Sequence, residues 1–326
     1  MENFTLIGKQ HSNISIKHFD QIKNKICIVR NCGGLGDIIN MRMIFSDIKN
    51  KYPKFKITWA VPNNYFPAAE QHPYVDEVIS NSEVDQRNYL QTYNLTNVCT
   101  RYEWARNKTN DKNRADIWAN HIGIDLENYQ TYMPFYPKEK EQVKTKLKQI
   151  GWDGAKKVLI LAPKSAIAVK NLTYEQVAII KGFASNFFIT VLHHHPILEF
   201  LNLKLPMLCG LNLKEALAAV ELSDVVVSTD TGLMHVSGAY GKPTLAIFSY
   251  TSGSNIAKHY DKVCVVQGKY IHQGEFCGPC NNFTNCTVDK HSQTKPCLTS
   301  VDQKMLEIGW QKTLEKYIDH INKVVL

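Results

Sequence analysis

The sequence predicts an α/β protein of two domains, each with its own parallel sheet. Three observations lead there. The chain has 326 residues, more than one hydrophobic core usually serves. A strand, a glycine-rich turn, a helix and a second strand follow one another near the start, and the same rhythm begins again near residue 156. In both halves the strands feed glycine-rich or polar turns, as β-α-β units do.

Each element has a local reason. ICIVR at 26–30 is an apolar run and reads as a strand; NCGGLGD is the turn that follows. IINMRMIFSDIKNKYP reads as a helix, because Ile38, Ile39, Met43, Phe45 and Ile48 recur at roughly helical spacing. FKITWAVP is the next strand and DEVIS at 76–80 another. Residues 81–130 are polar and show no clear pattern. TYMPFYPKEKEQVKTKLKQIG leads through a linker into a helix, and KKVLILAP at 156–163 opens the second domain. A helix at 173–184, the strand FFITVL, the helix LKEALAAVEL, the strand DVVVS, a short helix and the strand TLAIF follow. The boundary is expected near 155, giving domains 1–155 and 156–326. Residues 264–298 interrupt the rhythm with four cysteines, and Ser300 with Gln303 offers a capping box for a last helix.

Composition narrows the function classes. Hydrophobic residues make up 44% and charged residues 21%, ordinary for a globular protein. No stretch approaches the apolar length of a membrane span, and the first 20 residues lack the apolar core of a secretion signal. The expected location is cytoplasmic, with peripheral association at the inner membrane face as an alternative. The net charge of +8 divides evenly: residues 1–155 carry 21 Lys and Arg against 17 Asp and Glu, and residues 156–326 carry 17 against 13. With no basic tail or block, that spread fits a solvated surface first, and an anionic small substrate, an anionic membrane or nucleic acid as well; the even split counts against a nucleic-acid-binding module.

The stretch STDTGLMHVSGAYGKP carries the densest chemistry. A strand ends there and a short helix begins, so the helix N-terminus lies at the edge where ligands bind in parallel sheets. The amides of Thr231, Gly232 and Leu233 can hold phosphate oxygens, with His235 as a further donor. Asp230 would repel a diphosphate and is better placed on sugar hydroxyls; the alternative is that Asp230 or Thr231 only caps the helix. In the first domain, Gly33, Gly34 and Gly36 lead to Asp37, which reads as a general base or as a helix cap. Lys170 and Ser165, in the loop after VLILAP, can pair with a diphosphate, or Lys170 is simply a solvated loop lysine. His193, His194 and His195 end a strand, but consecutive side chains diverge and are poor joint metal ligands. Cys277, Cys280, Cys286 and Cys297 form C-x2-C-x5-C-x10-C. Four thiolates suit zinc or iron; a disulfide or free thiols are the alternatives.

Taken in order, these motifs resemble glycosyltransferase family 9, the ADP-heptose:lipopolysaccharide heptosyltransferases. GLGDIINMRMIFSDIKNKYP with ITWAVPNNYFPAAEQHPYVDEVI is similar to the family's first β-α-β unit, including Trp59, His72-Pro73 and Val75-Asp76. STDTGLMHVSGAYGKPTLAIFSYT is similar to its donor-site motif, and CGPC with Cys286 and Cys297-Leu298 to the cysteine-rich tail of many members. The resemblance implies a GT-B fold: two Rossmann-like β/α domains facing each other across a cleft, an N-terminal one for the acceptor and a C-terminal one for the nucleotide sugar, with a cysteine-rich insert near the C-terminus. It implies an inverting transfer of heptose or a similar sugar from ADP-heptose or a related donor to a hydroxyl of a glycan, a lipopolysaccharide or a protein, without a catalytic metal.

The same resemblance makes Asp37 the base, with Gly36 beside it. It puts Lys170 and Ser165 on the donor diphosphate, Asp230 on the donor sugar, Thr231, Gly232, Leu233 and His235 at the phosphate turn, and Glu215 at the nucleoside. A structural iron or zinc at the four cysteines is implied too, since the related autotransporter heptosyltransferases carry iron there. Three departures stand out. Arg42 occupies a position where the family usually has proline, the turn NCGGLGD is one residue longer than the commonest form, and Leu172 replaces a tryptophan. The rival readings are another nucleotide-sugar enzyme of the same fold, such as an epimerase or a hexosyl- or fucosyltransferase, and a metal-containing carbohydrate- or nucleic-acid-binding module.

Overall fold

A computed structural model describes residues 16–106, 111–277, 279, 280, 286, 288 and 295–325. It divides into two compact units. Among the described residues, the first comprises 16–102 and 114–134, and the second those of 103–113 and from 135 onward.

In the first unit, α1 (Ile16–Ile22) precedes β1 (Lys25–Val29), α2 (Leu35–Met41), α3 (Ile44–Lys51), β2 (Lys56–Val61), α4 (Phe66–Ala69), β3 (Glu77–Ser80) and β4 (Gln91–Asn94). The helix α5 (Val98–Trp104) starts here, and α6 (Arg114–Ile122) packs on α2 and α3. All four strands are parallel in the order β3-β2-β1-β4, with Ile28 opposite Trp59 on one side and Tyr93 on the other. Phe45 of α3 meets Trp59 at 4.7 Å between ring centres, and both are fully buried. The single helix expected over 38–53 is therefore two, broken at Arg42 and Met43.

Arg42, at the break, ties distant segments together. Arg42 is completely buried, and its guanidinium spends its donors on backbone carbonyls. Nε donates to Thr131 O at 2.7 Å, Nη1 to Ala68 O at 2.8 Å and Glu70 O at 3.2 Å, and Nη2 to Tyr132 O. A buried cation needs such a shell. The Arg42 carbonyl in turn accepts from His72 Nε2 at 2.9 Å, while His72 Nδ1 accepts from the Tyr74 amide. Burial, reinforced by the Arg42 charge, pulls His72 down to about 3, so the ring is neutral.

In the second unit, α7 (Pro137–Gln149) leads to β5 (Val158–Ala162), α8 (Tyr174–Phe183), β6 (Phe188–Leu192), β7 (Met207–Leu208), α9 (Leu213–Leu222), β8 (Val225–Thr229), α10 (Gly232–Ala239), β9 (Thr244–Phe248), α11 (Gly253–Ile256) and β10 (Val263–Gln267). A hairpin of β11 (Tyr270–His272) and β12 (Glu275–Cys277) follows, then α12 (Pro296–Thr299) and α13 (Gln303–Val325). The six strands are parallel in the order β10-β9-β8-β5-β6-β7. β5, β8 and β9 are buried along their whole length, as strands covered on both faces are. On α13, Leu306 and Trp310 close the core over this sheet, and Trp310 stacks on Phe183 at 5.2 Å. Gly309 lets that helix approach, because a Cβ there would stand 2.4 Å from Val266.

The division falls after Pro134 rather than near 155. α7 packs on α9, and Lys140 Nζ donates to Glu221 Oε1 at 2.6 Å, so this helix goes with the second unit. The capping box expected from Ser300 and Gln303 does not form: Ser300 Oγ donates to Cys297 O, and Asp302 Oδ1 takes the Met305 amide at 2.8 Å instead.

Candidate functional site

Each sheet has one point where the strand order reverses. In the first unit it lies between β1 and β4, in the second between β5 and β8. Loops diverge at such points and leave room for ligands at the carboxyl edge.

At the first point, Arg30 directly follows β1. Its Nη1 donates to Leu95 O at 3.0 Å and to Thr96 O beyond β4, and its Nη2 donates to Asp37 Oδ2 at 2.7 Å. Arg114, the first residue of α6, donates from Nη1 to Asp37 Oδ1 at 2.9 Å. Asp37 thus lies between two guanidiniums. Its side chain is 11% exposed, that of Arg30 6% and that of Arg114 36%. Burial opposes ionisation of Asp37, but Arg114 and Arg30 outweigh it and hold the carboxyl below its ordinary value.

The alternative of a helix cap does not describe this carboxylate. Gly34 is the cap residue of α2, and no side chain caps that helix. Gly36 is buried in its first turn. Gly33 has φ +119°, and a Cβ there would lie 2.5 Å from both Arg30 Nη2 and Asp37 Oδ2. The ion triad therefore requires glycine at 33 on two counts. Arg30 Nε is buried without a partner among the described residues. The guanidinium also lies 5.3 Å from the Trp118 ring.

At the second point, the loop after β5 carries Lys170 and the end of β8 carries Asp230. Lys170 Nζ donates to Asp230 Oδ2 at 2.7 Å, and the same oxygen accepts from Thr251 Oγ1 at 2.6 Å. The side chains are 14% and 7% exposed. Burial opposes ionisation of Asp230, but Lys170, then Thr251 and His235, hold its carboxyl below the ordinary value. Lys170 also lies 5.6 Å from the Tyr250 ring. Its loop is pinned from below: Thr229 Oγ1 donates to Lys170 O, and Ser249 Oγ to Val169 O at 3.3 Å. Leu172 is buried in the core of this unit.

α10 starts immediately after Asp230. Its cap residue is Thr231, whose extended backbone (φ −143°, ψ 169°) carries no side-chain cap bond. Thr231, Gly232 and Leu233 are partly exposed, so the first turn presents backbone amides without a covering side chain. His235, nearly buried, has Nδ1 3.3 Å from the Tyr260 hydroxyl. Lys170, Asp230, Thr231, Gly232, Leu233 and His235 thus gather around the β5/β8 reversal.

Two further expected donor-site residues have partners of their own in the structure. Glu215 forms a capping box, accepting from the Asn212 amide at 3.0 Å while its own amide donates to Asn212 Oδ1. Its other oxygen accepts from Lys146 Nζ at 2.6 Å. The Ser165 hydroxyl accepts from the Ile167 amide at 3.5 Å, and its amide donates to Asn171 Oδ1. His193 turns its Nδ1 back onto the His195 backbone. Arg30, Arg114 and Thr251 are site residues that the sequence did not single out.

Cys277, Cys280, Cys286 and Cys297 line one cavity of about 20 Å³. Cys297 packs with Val169 and Tyr250, next to the Lys170 loop. Burial, and then the other three cysteines, push the Cys297 thiol up to about 11. Among the described residues, no group of three or more His, Cys, Asp or Glu side chains stands where it could hold a metal ion. Much of the stretch between Cys277 and Cys297 lies outside the described residues.

The fold has solved counterparts. A glycosyltransferase of family 9 from Veillonella parvula superposes with a TM-score of 0.66 at 15% identity, covering 90% of this chain and 98% of that one. The E. coli ADP-heptose LPS heptosyltransferase II gives 0.63 at 14%, covering 90% and 99%. The dodecameric iron-containing E. coli heptosyltransferase TibC in complex with ADP-D-β-D-heptose gives 0.62 at 11%, covering 91% and 79%. No curated protein matches the chain in sequence. The two parallel-sheet α/β units and these counterparts define a GT-B-like glycosyltransferase fold. Within it, residues 195–283 match the model of glycosyltransferase family 9 (heptosyltransferase), a segment that includes Asp230 and all of α10; fold and segment together indicate a glycosyltransferase. Among the described residues, no helix is long and apolar enough to cross a membrane.

Proposed function

We propose that this chain is an inverting heptosyltransferase that takes ADP-heptose, or a closely related nucleotide sugar, and glycosylates a hydroxyl of a glycan, lipopolysaccharide or protein. The observation that carries the reading is the Lys170–Asp230 pair at the β5/β8 reversal, next to the uncapped first turn of α10. The heptosyltransferase names of the E. coli counterparts, one of them in complex with ADP-heptose, support this donor.

The diphosphate would take the α10 amides and draw Lys170 toward itself. That would free an Asp230 oxygen, still bonded to Thr251, for a sugar hydroxyl. Asp37 would take the proton of the acceptor hydroxyl as its oxygen bonds to the anomeric carbon. The bond from that carbon to the β-phosphate oxygen breaks in the same event, and the electron pair leaves with ADP. Lys170, His235 and the α10 amides stabilise the departing charge. The two guanidiniums make Asp37 a weak base, but they also hold it ionised and aimed.

No step passes through a metal. A structural iron or zinc ion at Cys277, Cys280, Cys286 and Cys297 is a second part of this reading. It rests on the C-x2-C-x5-C-x10-C donor set and on the iron in the TibC counterpart; among the described residues, the four thiols line one cavity but are not gathered at coordinating distance. Bound there, the ion would tie the cysteine segment to the Val169–Tyr250 side of the Lys170 loop. A nucleotide donor and free cysteines suit a cytoplasmic enzyme working at a membrane face.

The test is product analysis. The purified protein is offered ADP-, GDP- and UDP-sugars with lipopolysaccharide-core, glycan and peptide acceptors, and products are weighed by mass spectrometry. A heptose mass increment with ADP-heptose supports the reading. Transfer only from another nucleotide sugar, or none from ADP-heptose to any acceptor, overturns it.

A further inference from the structure

The donor turn carries one histidine, and a buried hydroxyl faces it. His235 is the fourth residue of α10 and lies three residues before Gly238, on the same face of that helix. Cα–Cβ bonds in a helix tilt toward its N-terminus. His235 therefore leans toward the uncapped turn at Thr231, Gly232 and Leu233, and it does so from a nearly buried position.

Tyr260 packs on that helix face. It sits between α11 and β10, buried, with its amide donating to Ala257 O and its carbonyl accepting from the Val263 amide, both at 3.0 Å. Its ring meets that of His235 edge-on, with 5.8 Å between centres and 73° between planes. The approach requires glycine at 238, where a Cβ would stand 2.5 Å from Tyr260 Cγ and 2.8 Å from Cδ2. Backbone and ring together fix the hydroxyl, which lies 3.3 Å from His235 Nδ1.

Packing alone does not account for that hydroxyl. Phenylalanine would fill the same space without the cost of burying a polar group. Burial pushes the phenol well above its ordinary value, so it keeps a proton to give. A neutral imidazole that accepts at Nδ1 carries its own hydrogen on Nε2. In the opposite tautomer Nε2 would present a lone pair, which phosphate oxygens avoid.

Given the donor role proposed for His235, we infer that Tyr260 is a positioning residue of the donor site. Its hydroxyl donates to His235 Nδ1, aims the ring, and keeps Nε2–H as the donor that meets the diphosphate. Tyr260 acts through His235 and not on the substrate itself.

The experiment is a double-mutant cycle on the full-length chain, with ADP affinity read by calorimetry and the His235 ring read by nitrogen NMR. Tyr260→Phe keeps the ring against Gly238 and should melt close to wild type. It should weaken ADP binding about 3- to 10-fold, the range of one hydrogen bond. In a His235→Ala background the same change should cost nothing further, because the two side chains act as one unit. A change that only loosened the packing of α10 would cost as much in either background. In the wild type without nucleotide, Nδ1 should be the unprotonated nitrogen of the neutral ring. Three results overturn the inference and leave the donor reading standing: His235→Ala weakens ADP binding while Tyr260→Phe does not, the Tyr260→Phe loss is undiminished in the His235→Ala background, or Nδ1 carries the proton. If the wild type binds no ADP, or His235→Ala binds it as tightly as wild type, the donor role of His235 is refuted and the role of Tyr260 falls with it.

Discussion

Replacing Asp37 with Asn separates its place in the ion triad from its proposed role as the base. Asn keeps one acceptor oxygen and loses the charge. Arg30 is the costly partner, because its side chain is 6% exposed and its Nε already lacks an acceptor. Breaking a buried ion pair costs about 3–5 kcal/mol, and the retained oxygen recovers part of that. Arg114 is 36% exposed and can turn to water, so its share is small. The expected loss is about 2–3 kcal/mol, or roughly 5–12 °C in melting temperature for a unit of this size.

As the proposed base, Asp37 would be worth at least about 10²-fold in turnover. The variant should therefore melt lower and also turn over at least ~10²-fold more slowly at temperatures where near-ultraviolet circular dichroism shows it folded, with ADP affinity unchanged. The pH dependence adds a check. Both guanidiniums keep the folded carboxyl below its ordinary value, so it stays ionised through the weakly acid range. The stability it confers is present above about pH 4 and is lost only as pH falls through its lowered value. Near-normal turnover with saturating acceptor would refute the base assignment, and an unchanged melting temperature would refute the ion-triad argument.

Three further outcomes are expected. Lys170→Ala should weaken ADP binding by about 1.5–3 kcal/mol in calorimetry. It should also move acid unfolding to higher pH, since Asp230 loses the cation that holds it ionised; unchanged ADP affinity would confine Lys170 to serving Asp230. His72 is held neutral at about 3, so it should take stability away as pH falls from about 6.5 toward 3, by up to roughly 1.4 kcal/mol per pH unit. His72→Gln should flatten that slope in denaturant titrations, and an unchanged slope would show that the ring is not buried neutral. Cys280→Ser should lower metal content and melting temperature together; anaerobically purified wild-type protein without zinc or iron would remove the metal reading.

The two sheets were legible because their signal is local. Apolar runs such as VLILA and VVVST end abruptly at turn residues, and their strands sit where expected. The break in the first long helix was not legible, because buried side chains continue straight across it, from Ile38 and Ile39 to Ile44 and Phe45. At the break sits Arg42, whose partners are carbonyls 26 to 90 residues away and so equally hidden in the sequence. The partners of Asp37 were hidden for a similar reason: Arg114 is 77 residues distant, in the polar stretch that gave no pattern. Glu215 did carry a readable signal. Asn-x-x-Glu ahead of an apolar helix is a capping-box spacing, and the structure uses Glu215 that way. Lys170 and Asp230 were each marked as chemistry, but their pairing depends on β5 and β8 being neighbours.

Arg42 also has an evolutionary consequence. Its guanidinium serves four carbonyls on two separate segments, 68–70 and 131–132. Any residue without that guanidinium would strand those acceptors, at about 1–3 kcal/mol for each that stays buried. The two segments are, by contrast, free to vary in side chain, since Arg42 reads only their backbone.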